Sequence, residues 1–546
     1  MNPISRNAIL ATLLVTVMVL GIPLTTAANN SPRKVIIGFR DTPGLEQRQL
    51  IEGLGGHVSR MYSMIPALAA EIPSGAAQQL LANPSVTYIE TDYVRTPMGH
   101  IVPGVIYDGS YEILPWGVER VNANDVWDAN NDLMVDDGAI AGLGVRVAVL
   151  DTGLDYPDPT AHPDLAGNVD FSDSWDFLDN DGNVSDTPGP VTGHGTATSG
   201  IVAAIDNNIG VIGVAPKATV IMYRVCDSSV NECPDSAIID ALEESVIDNA
   251  DVVSMSFGGI AFSIPFKLAI HAAYVAGLVL VASSGNTPSV IAGARHYPSG
   301  FSEVIAVGAT DINNNLATFS TFGGHLELVA PGVDTPTTTL VGFGRDVLLH
   351  ENSPVSQDIQ ANPMVFSGTG SLTKDLVYAG LGRAVDFATV DCTDKIAIIS
   401  RGAITFRLKV ENAYADGCLA AVIFNSVAGN FFGTLGVPQA IPAVSISRAD
   451  GLALVAALGS GPVNVSLTVV ALDYDSFSGT SASAPYVSGV AALVLSANSG
   501  LDPKDVRKIL RGTAVDLGIP GRDIYFGYGL VDAYAAVQCA TGATTC

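Results

Sequence analysis

Three short segments bring together the residue types that can cleave an acyl bond. Val147-Ala-Val-Leu-Asp151-Thr-Gly153 runs a carboxylate out of an apolar stretch into a glycine turn. Gly193-His194-Gly195-Thr196 sets an imidazole where a helix can begin, and Gly479-Thr480-Ser481-Ala-Ser483-Ala-Pro485 sets a hydroxyl ahead of a long apolar segment. A serine hydroxyl is a weak nucleophile until a neutral imidazole takes its proton. A carboxylate then holds the imidazole in the right tautomer and stabilises the imidazolium. A fourth segment, Ser283-Ser284-Gly285-Asn286, ends a strand and offers an amide donor for a developing oxyanion. Losing one such donor typically costs about 100- to 1000-fold in turnover.

Each segment alone is unspecific. Asp-Thr-Gly is usually a turn, Gly-Thr-Ser often caps a helix, and a lone histidine more often packs than reacts. The four together, in the order Asp151, His194, Asn286, Ser481, form a set that acyl transfer requires. Two other readings compete. An aspartic protease would use Asp151-Thr-Gly153, but it needs two carboxylates sharing a proton and there is no second Asp-Thr-Gly. A non-catalytic peptide-binding protein would have no use for the intact set.

The elements that must hold these groups alternate. Val145–Leu150, Thr219–Val225, Val252–Ser256, Val279–Ser283 and Val304–Val307 read as strands apolar on both faces, and Gly195–Ala204, Asp235–Asn249 and Pro265–Ala276 read as helices. That rhythm predicts a doubly wound, mostly parallel α/β sheet covered on both sides, with ligands at strand ends. Upstream, 33–96 reads as a small α/β unit: strands at 34–40, 67–72 and 86–93, helices at 46–54 and 76–82. Thr96–Tyr111 has no clear pattern. Downstream, a self-contained β-rich insert spans 335–472, followed by helices at 482–497, 503–511 and 532–538.

With 546 residues, 48% of them hydrophobic and 15% charged, the chain can bury several cores and is not disordered. A formal charge of −28 excludes a nucleic-acid partner and favours solubility. Residues 1–28 have the form of a signal peptide: Arg6, an apolar run from Ala8 to Leu24, then small residues near Ala28. No later stretch is expected to be long enough to span a membrane. The chain is therefore expected to be secreted, free of the membrane after signal cleavage, and monomeric. In that compartment six cysteines can pair, and their sequence-local couples are Cys226–Cys233, Cys392–Cys418 and Cys539–Cys546. Free buried thiols are the alternative.

On the four motifs, together with Leu114-Pro-Trp-Gly-Val118, His162-Pro-Asp-Leu165, Gly210-Val-Ile-Gly-Val-Ala-Pro216 and Gly527-Tyr-Gly-Leu-Val-Asp532, the chain resembles a secreted subtilisin-like serine protease over 114–332 and 476–537. The resemblance implies a serine endopeptidase with Asp151 as orienter, His194 as general acid/base and Ser481 as nucleophile. Asn286 and the Ser481 amide would hold the oxyanion. It also implies that Ser254-Met-Ser256-Phe257-Gly258-Gly259 pairs with an extended peptide substrate, and that Phe257 with Ser283, Ser284 and Gly285 walls the first specificity pocket. Ala197 stands where the family commonly has His. Gly479–Pro485 looks like the kexin and furin branch, too little to claim dibasic specificity.

The unit at 33–96 resembles the family's inhibitory propeptide, spanning 29–110 in all and cut off by the enzyme itself between Thr96 and Glu112. The insert resembles a protease-associated domain through Asp394–Gly402, Lys409–Gly417 and Ile441–Ser445. It could gate substrate, bind a partner or act as a spacer. The catalytic parts are then 111–334 and 473–538, with a tail at 539–546. The loop Ile205–Val211 matches the family's structural calcium site. The resemblance gives Glu112, Asp164 and Asn207 as side-chain ligands and Ile205, Ile209 and Val211 as carbonyl ligands, an all-oxygen set suited to calcium. Asp179, Asp181 and Asn183 alternate oxygen donors that could hold a second ion, but without a distal Glu they read first as a solvated turn.

Overall fold

Alternating residues on each central strand supply two separate cores. In Arg146–Asp151, Val147 and Val149 face one side of the sheet while Ala148 and Leu150 face the other; Val252 and Val253, and Val281 and Leu280, divide in the same way. Strands that are apolar on both faces must be covered twice, which the helices do. The structure is a computed structural model that describes residues 32–102, 109–155, 161–288 and 295–545. The expected signal peptide and Cys546, one half of the third cysteine couple, lie outside the described residues.

The central sheet has seven strands in the order Leu328–Pro331, Val304–Thr310, Val279–Ser283, Val252–Met255, Arg146–Asp151, Thr219–Arg224 and Trp175–Asp176, every pairing parallel. The order reverses beside Arg146–Asp151, and in such sheets ligands lie beyond the strand C-termini at that reversal. Helices His194–Ala203 and Thr480–Ala497 cover one face; Asp235–Ile247 and Ile264–Ala276 cover the other. Thr480–Ala497 corrects one expectation. It is apolar and long enough to cross a membrane by composition, but 89% of it is buried, as suits the central helix of a core.

The N-terminal unit is a four-stranded antiparallel sheet in the order His57–Met61, Ala67–Ile72, Arg33–Phe39, Val86–Thr91, with helices Leu45–Gly53 and Ala76–Leu81. Its own core lies under the helices. Its other face carries Ile36, Tyr62, Ile65, Ala67 and Ala69 into the same cluster as Ile238 and Leu242, so the sheet is seated on helix Asp235–Ile247.

The insert is an eight-stranded sheet from Gly344 to Leu472 with two cores of its own. Thr335–Thr338, expected to open it, instead pairs with Tyr474–Ser478 and lies against helix His194–Ala203, so the insert begins later than expected. Cys392–Cys418 fastens the insert and Cys226–Cys233 the loop that follows strand Thr219–Arg224, the two couples expected there.

Candidate active site

Two glycine turns bring Asp151 and His194 together. A Cβ on Gly195 would lie 2.2 Å from the carbonyl oxygen of residue 153, so the helix start can approach the strand end this closely only with glycine at 195; Gly153 itself has φ +113° and faces the Val184 carbonyl. His194 Nδ1 lies 2.6 Å from Asp151 Oδ1, and both side chains are 1% exposed. Asp151 also accepts from the Thr152 amide at 2.7 Å and from Thr198 Oγ1 at 3.2 Å. A carboxylate only accepts, so Nδ1 carries the proton and Nε2 presents its lone pair. Nε2 is buried without a hydrogen-bond partner among the described residues. The Asp151 carboxylate thus faces an imidazole and not a second carboxyl, which removes the aspartic-protease arrangement.

Ser481 is the second residue of helix Thr480–Ala497, and its Oγ donates to the Ser256 carbonyl at 2.6 Å. Pro485, inside that helix, has no N–H for the Ser481 carbonyl four residues back. Ser256 Oγ fills the vacancy, donating to that carbonyl at 3.0 Å. Asn286 is fixed through Oδ1, which accepts from the amide and the hydroxyl of Thr480, each at 2.9 Å. Its Nδ2 donates to the Met98 carbonyl oxygen at 2.7 Å, and the Ser481 amide donates to the same oxygen at 3.0 Å.

Met98 belongs to the stretch that showed no pattern in the sequence. Val94–Pro97 forms the middle strand of a three-stranded antiparallel sheet between Cys233–Pro234 and Phe257–Gly258, and the Met98 amide donates to Ser256 O at 3.0 Å. Beyond Gly99, His100–Val102 pairs with Ser476–Ser478. The chain therefore runs through the site as an extended peptide, paired on both sides of the Met98–Gly99 bond. Little room is left there: a Cβ on Gly99 would stand 2.8 Å from Ser481 Cβ, and one on Gly479 2.3 Å from Met98 O.

The remaining residues divide by role. Phe257 and Gly258 supply backbone to this pairing. The Phe257 ring, expected to wall the first pocket, sits in the helix-side core, while the Gly258 position faces Met98, with Cε 2.7 Å from where a Cβ would be. Ser284 Oγ donates to Thr321 O at 2.9 Å, and the Gly285 amide donates to Thr480 Oγ1 at 3.2 Å. Ser254 and Ser283 are buried in strands, their hydroxyls unpartnered among the described residues.

Asp186 gave no signal in the sequence. It is half-buried, and Oδ2 accepts from the Gly193 amide at 2.7 Å and Thr152 Oγ1 at 2.9 Å, while Oδ1 accepts from Ser228 Oγ at 2.5 Å. It thereby ties the residue after Asp151 to the residue before His194. Burial pushes its carboxyl up to about 7.

The expected metal ligands also converge. The Asn207 amide donates to Glu112 Oε1 at 2.9 Å and its Nδ2 to Asp164 Oδ1 at 3.0 Å; Val211 N donates to Asp164 Oδ2 at 2.9 Å, and Ile209 N to Asn207 Oδ1 at 3.0 Å. The Ile205 amide donates to the Asp164 carbonyl at 2.9 Å. Burial and neighbouring negative charge raise Glu112 to about 7 and Asp164 to about 6. Among the described residues no three His, Cys, Asp or Glu side chains are grouped to hold a metal ion. The alternating donors of 179–183 are spent locally: Asp179 pairs with Arg224 at 3.1 Å and Asp181 accepts from the Asn183 amide at 2.8 Å.

Comparison with known proteins places this geometry. The model of the subtilase family matches 142–369 and 453–529, and that of the PA domain matches 369–454. Subtilisin NAT from Bacillus subtilis subsp. natto is 31% identical over 319 residues, covering 57% of this chain and 74% of the relative. The minor extracellular protease Vpr of Bacillus subtilis is 27% identical over 538 residues, covering 86% and 59%. Among solved structures, the psychrophilic subtilisin-like protease Apa1 from Pseudoalteromonas sp. AS-11 aligns with a TM-score of 0.51 and 26% identity, covering 79% of this chain and 99% of that one. Fervidolysin from Fervidobacterium pennivorans shares the fold, with a TM-score of 0.58 and 21% identity over 94% and 62%. The family model covers more than half of the chain, and the chain belongs to the subtilase family, as a serine endopeptidase of subtilisin type interrupted by a PA domain.

Proposed function

We propose that this chain is the precursor of a secreted endopeptidase that cuts itself between Met98 and Gly99. In this reading Ser481 Oγ attacks the carbonyl carbon of the residue in the Met98 place, and His194 Nε2 takes its proton and later delivers it to the leaving amine. Asp151 keeps the imidazole in the required tautomer and stabilises the imidazolium. Asn286 Nδ2 and the Ser481 amide hold the oxygen as it gains charge. For attack the Ser481 hydroxyl, which here donates to the Ser256 carbonyl, has to turn to the unpartnered Nε2. The observation that carries the proposal is the Met98 carbonyl oxygen resting on both donors, at 2.7 and 3.0 Å.

Residues up to Met98 then form the inhibitory propeptide, which ends before the boundary near 110 expected from sequence. Its C-terminal strand remains in the groove after the cut and blocks substrate. In a purified system the wild-type precursor should yield a mature chain beginning at Gly99, and Ser481→Ala should stay at full length. A serine-directed phosphonate should label the mature protein once, at Ser481. Normal maturation of Ser481→Ala, or a mature N-terminus far from residue 99, would overturn the assignment.

Calcium is proposed at Glu112, Asp164 and Asn207, with the carbonyls of Ile205, Ile209 and Val211. The donor chemistry fits: two carboxylates, an amide and backbone carbonyls, all hard oxygen ligands. The ion would neutralise the buried Asp164 and the half-buried Glu112 and pin the 205–211 loop; it has no part in bond cleavage.

A further inference from the structure

The peptide in the groove carries one feature that its backbone pairing does not require. Arg95, fourth residue before the Met98–Gly99 bond, is 0% exposed. Its guanidinium donates from Nε to Asp235 Oδ1 at 2.6 Å and from Nη2 to Asp235 Oδ2 at 2.7 Å, while Nη1 donates to the Ala261 carbonyl at 2.6 Å. All three nitrogens are satisfied, and every one of these acceptors belongs to the catalytic unit. The Phe266 ring lies 5.2 Å from the guanidinium carbon, within cation–π reach. Gly259 leaves room for the stem: a Cβ there would stand 3.2 Å from Arg95 Cδ.

The pocket is built from parts that stay behind when the propeptide leaves. Asp235 is the first residue of helix Asp235–Ile247 and is itself 0% exposed. It follows the strand Cys233–Pro234, which the Cys226–Cys233 disulfide anchors and which pairs with Arg95 and Val94. A bidentate carboxylate fits the planar fork of arginine, whereas a lysine ammonium can use only part of it. An apolar fourth residue would leave a buried carboxylate without a counter-charge, a cost larger than the gain from any apolar contact.

We propose that Asp235 is a specificity-determining residue that selects arginine four positions before the scissile bond. This rests on the protease reading of the same groove. Substrates cut efficiently in trans should then resemble the precursor's own Arg95-Thr96-Pro97-Met98.

The test uses the processed, propeptide-free enzyme and fluorogenic peptides built on Arg-Thr-Pro-Met-Gly. The first residue is varied to lysine, to citrulline (the neutral isostere of arginine) and to alanine. Truncating one partner of a buried charged pair predicts that arginine exceeds citrulline and alanine by at least about thirtyfold in kcat/KM, with lysine between. In Asp235→Asn the arginine-to-citrulline ratio should fall toward one. If the wild-type enzyme cuts all four peptides alike, Asp235 selects nothing and the proposal fails while the protease reading stands. The same holds if Asp235→Asn keeps the full ratio. The peptide series on the wild-type enzyme decides the matter even if the variant does not fold. Absence of any hydrolysis, with no phosphonate label at Ser481, would instead remove the protease reading and the proposal with it.

Discussion

Asp186 shows how much of the proposed triad's geometry is set outside it. Its three accepted hydrogen bonds fix the turns that carry Asp151 and His194, yet burial favours its protonated form. A carboxyl raised to about 7 in the fold, and lower when unfolded, binds more protons folded than unfolded between those two values. Its contribution to stability is therefore most favourable at acidic pH and is lost as pH rises toward about 7. Asp186→Asn should remove that slope: denaturant midpoints of wild type and variant, measured from about pH 5 to about pH 8, should converge as pH rises. Parallel curves would mean that Asp186 does not change its protonation differently in the folded and unfolded chain over that range. Because Asn cannot accept from three donors at once, the variant should also lose turnover while its KM for peptide changes little.

At the scale of elements, two helices of the catalytic unit begin against carboxylates of the N-terminal unit. Glu90 accepts from the Ile264 amide at 3.0 Å, and Asp92 accepts from the Ser236 amide at 2.9 Å and its hydroxyl at 2.7 Å. A carboxylate at a helix start contributes about 0.3–1 kcal/mol, and up to about 2 kcal/mol where partly buried. Burial raises both groups above the ordinary carboxylate range. Acidification therefore neutralises them early and weakens the grip. After the proposed cut, Glu90→Gln with Asp92→Asn should shorten the lag before casein hydrolysis begins at neutral pH. Wild type should show a similar shortening at mildly acidic pH, and an unchanged lag in both cases would mean the caps do not hold the propeptide. The N-terminal sheet also packs on the helices that must cover the parallel sheet, whose long-range pairings make it slow to form.

Across the whole molecule, the proposed calcium site joins parts far apart in the chain: Glu112 ahead of the first catalytic helix, Asp164, and the 205–211 loop beyond helix His194–Ala203. An ion bound only by the folded state stabilises it by mass action, about 2.7 kcal/mol at a hundredfold excess over its dissociation constant. Chelation should lower the Tm of the mature enzyme, and excess calcium should restore it. Glu112→Gln combined with Asp164→Asn should make the Tm indifferent to both treatments. A wild-type Tm unmoved by chelator would remove the site. The formal charge of −28 makes such neutralisation count over the whole fold, since a compact acidic chain repels itself.

Local chemistry was legible in the sequence because it is written in contiguous residues. The strand ending at Asp151, the glycine before His194, Asn286 at its strand end and Ser481 before an apolar helix each occupy a run that fixes its own geometry, and alternation within those runs set the parallel sheet. Thr96–Tyr111 was opaque for the opposite reason. A peptide lying in a groove takes its strand pairing from the walls, Cys233–Pro234 and Phe257–Gly258, and needs no periodicity of its own. Asp235 read only as the start of a helix, and Asp186 as one acid among many. Their partners Arg95, Gly193 and Ser228 lie elsewhere in the chain, and only folding brings those charges and donors within hydrogen-bond distance.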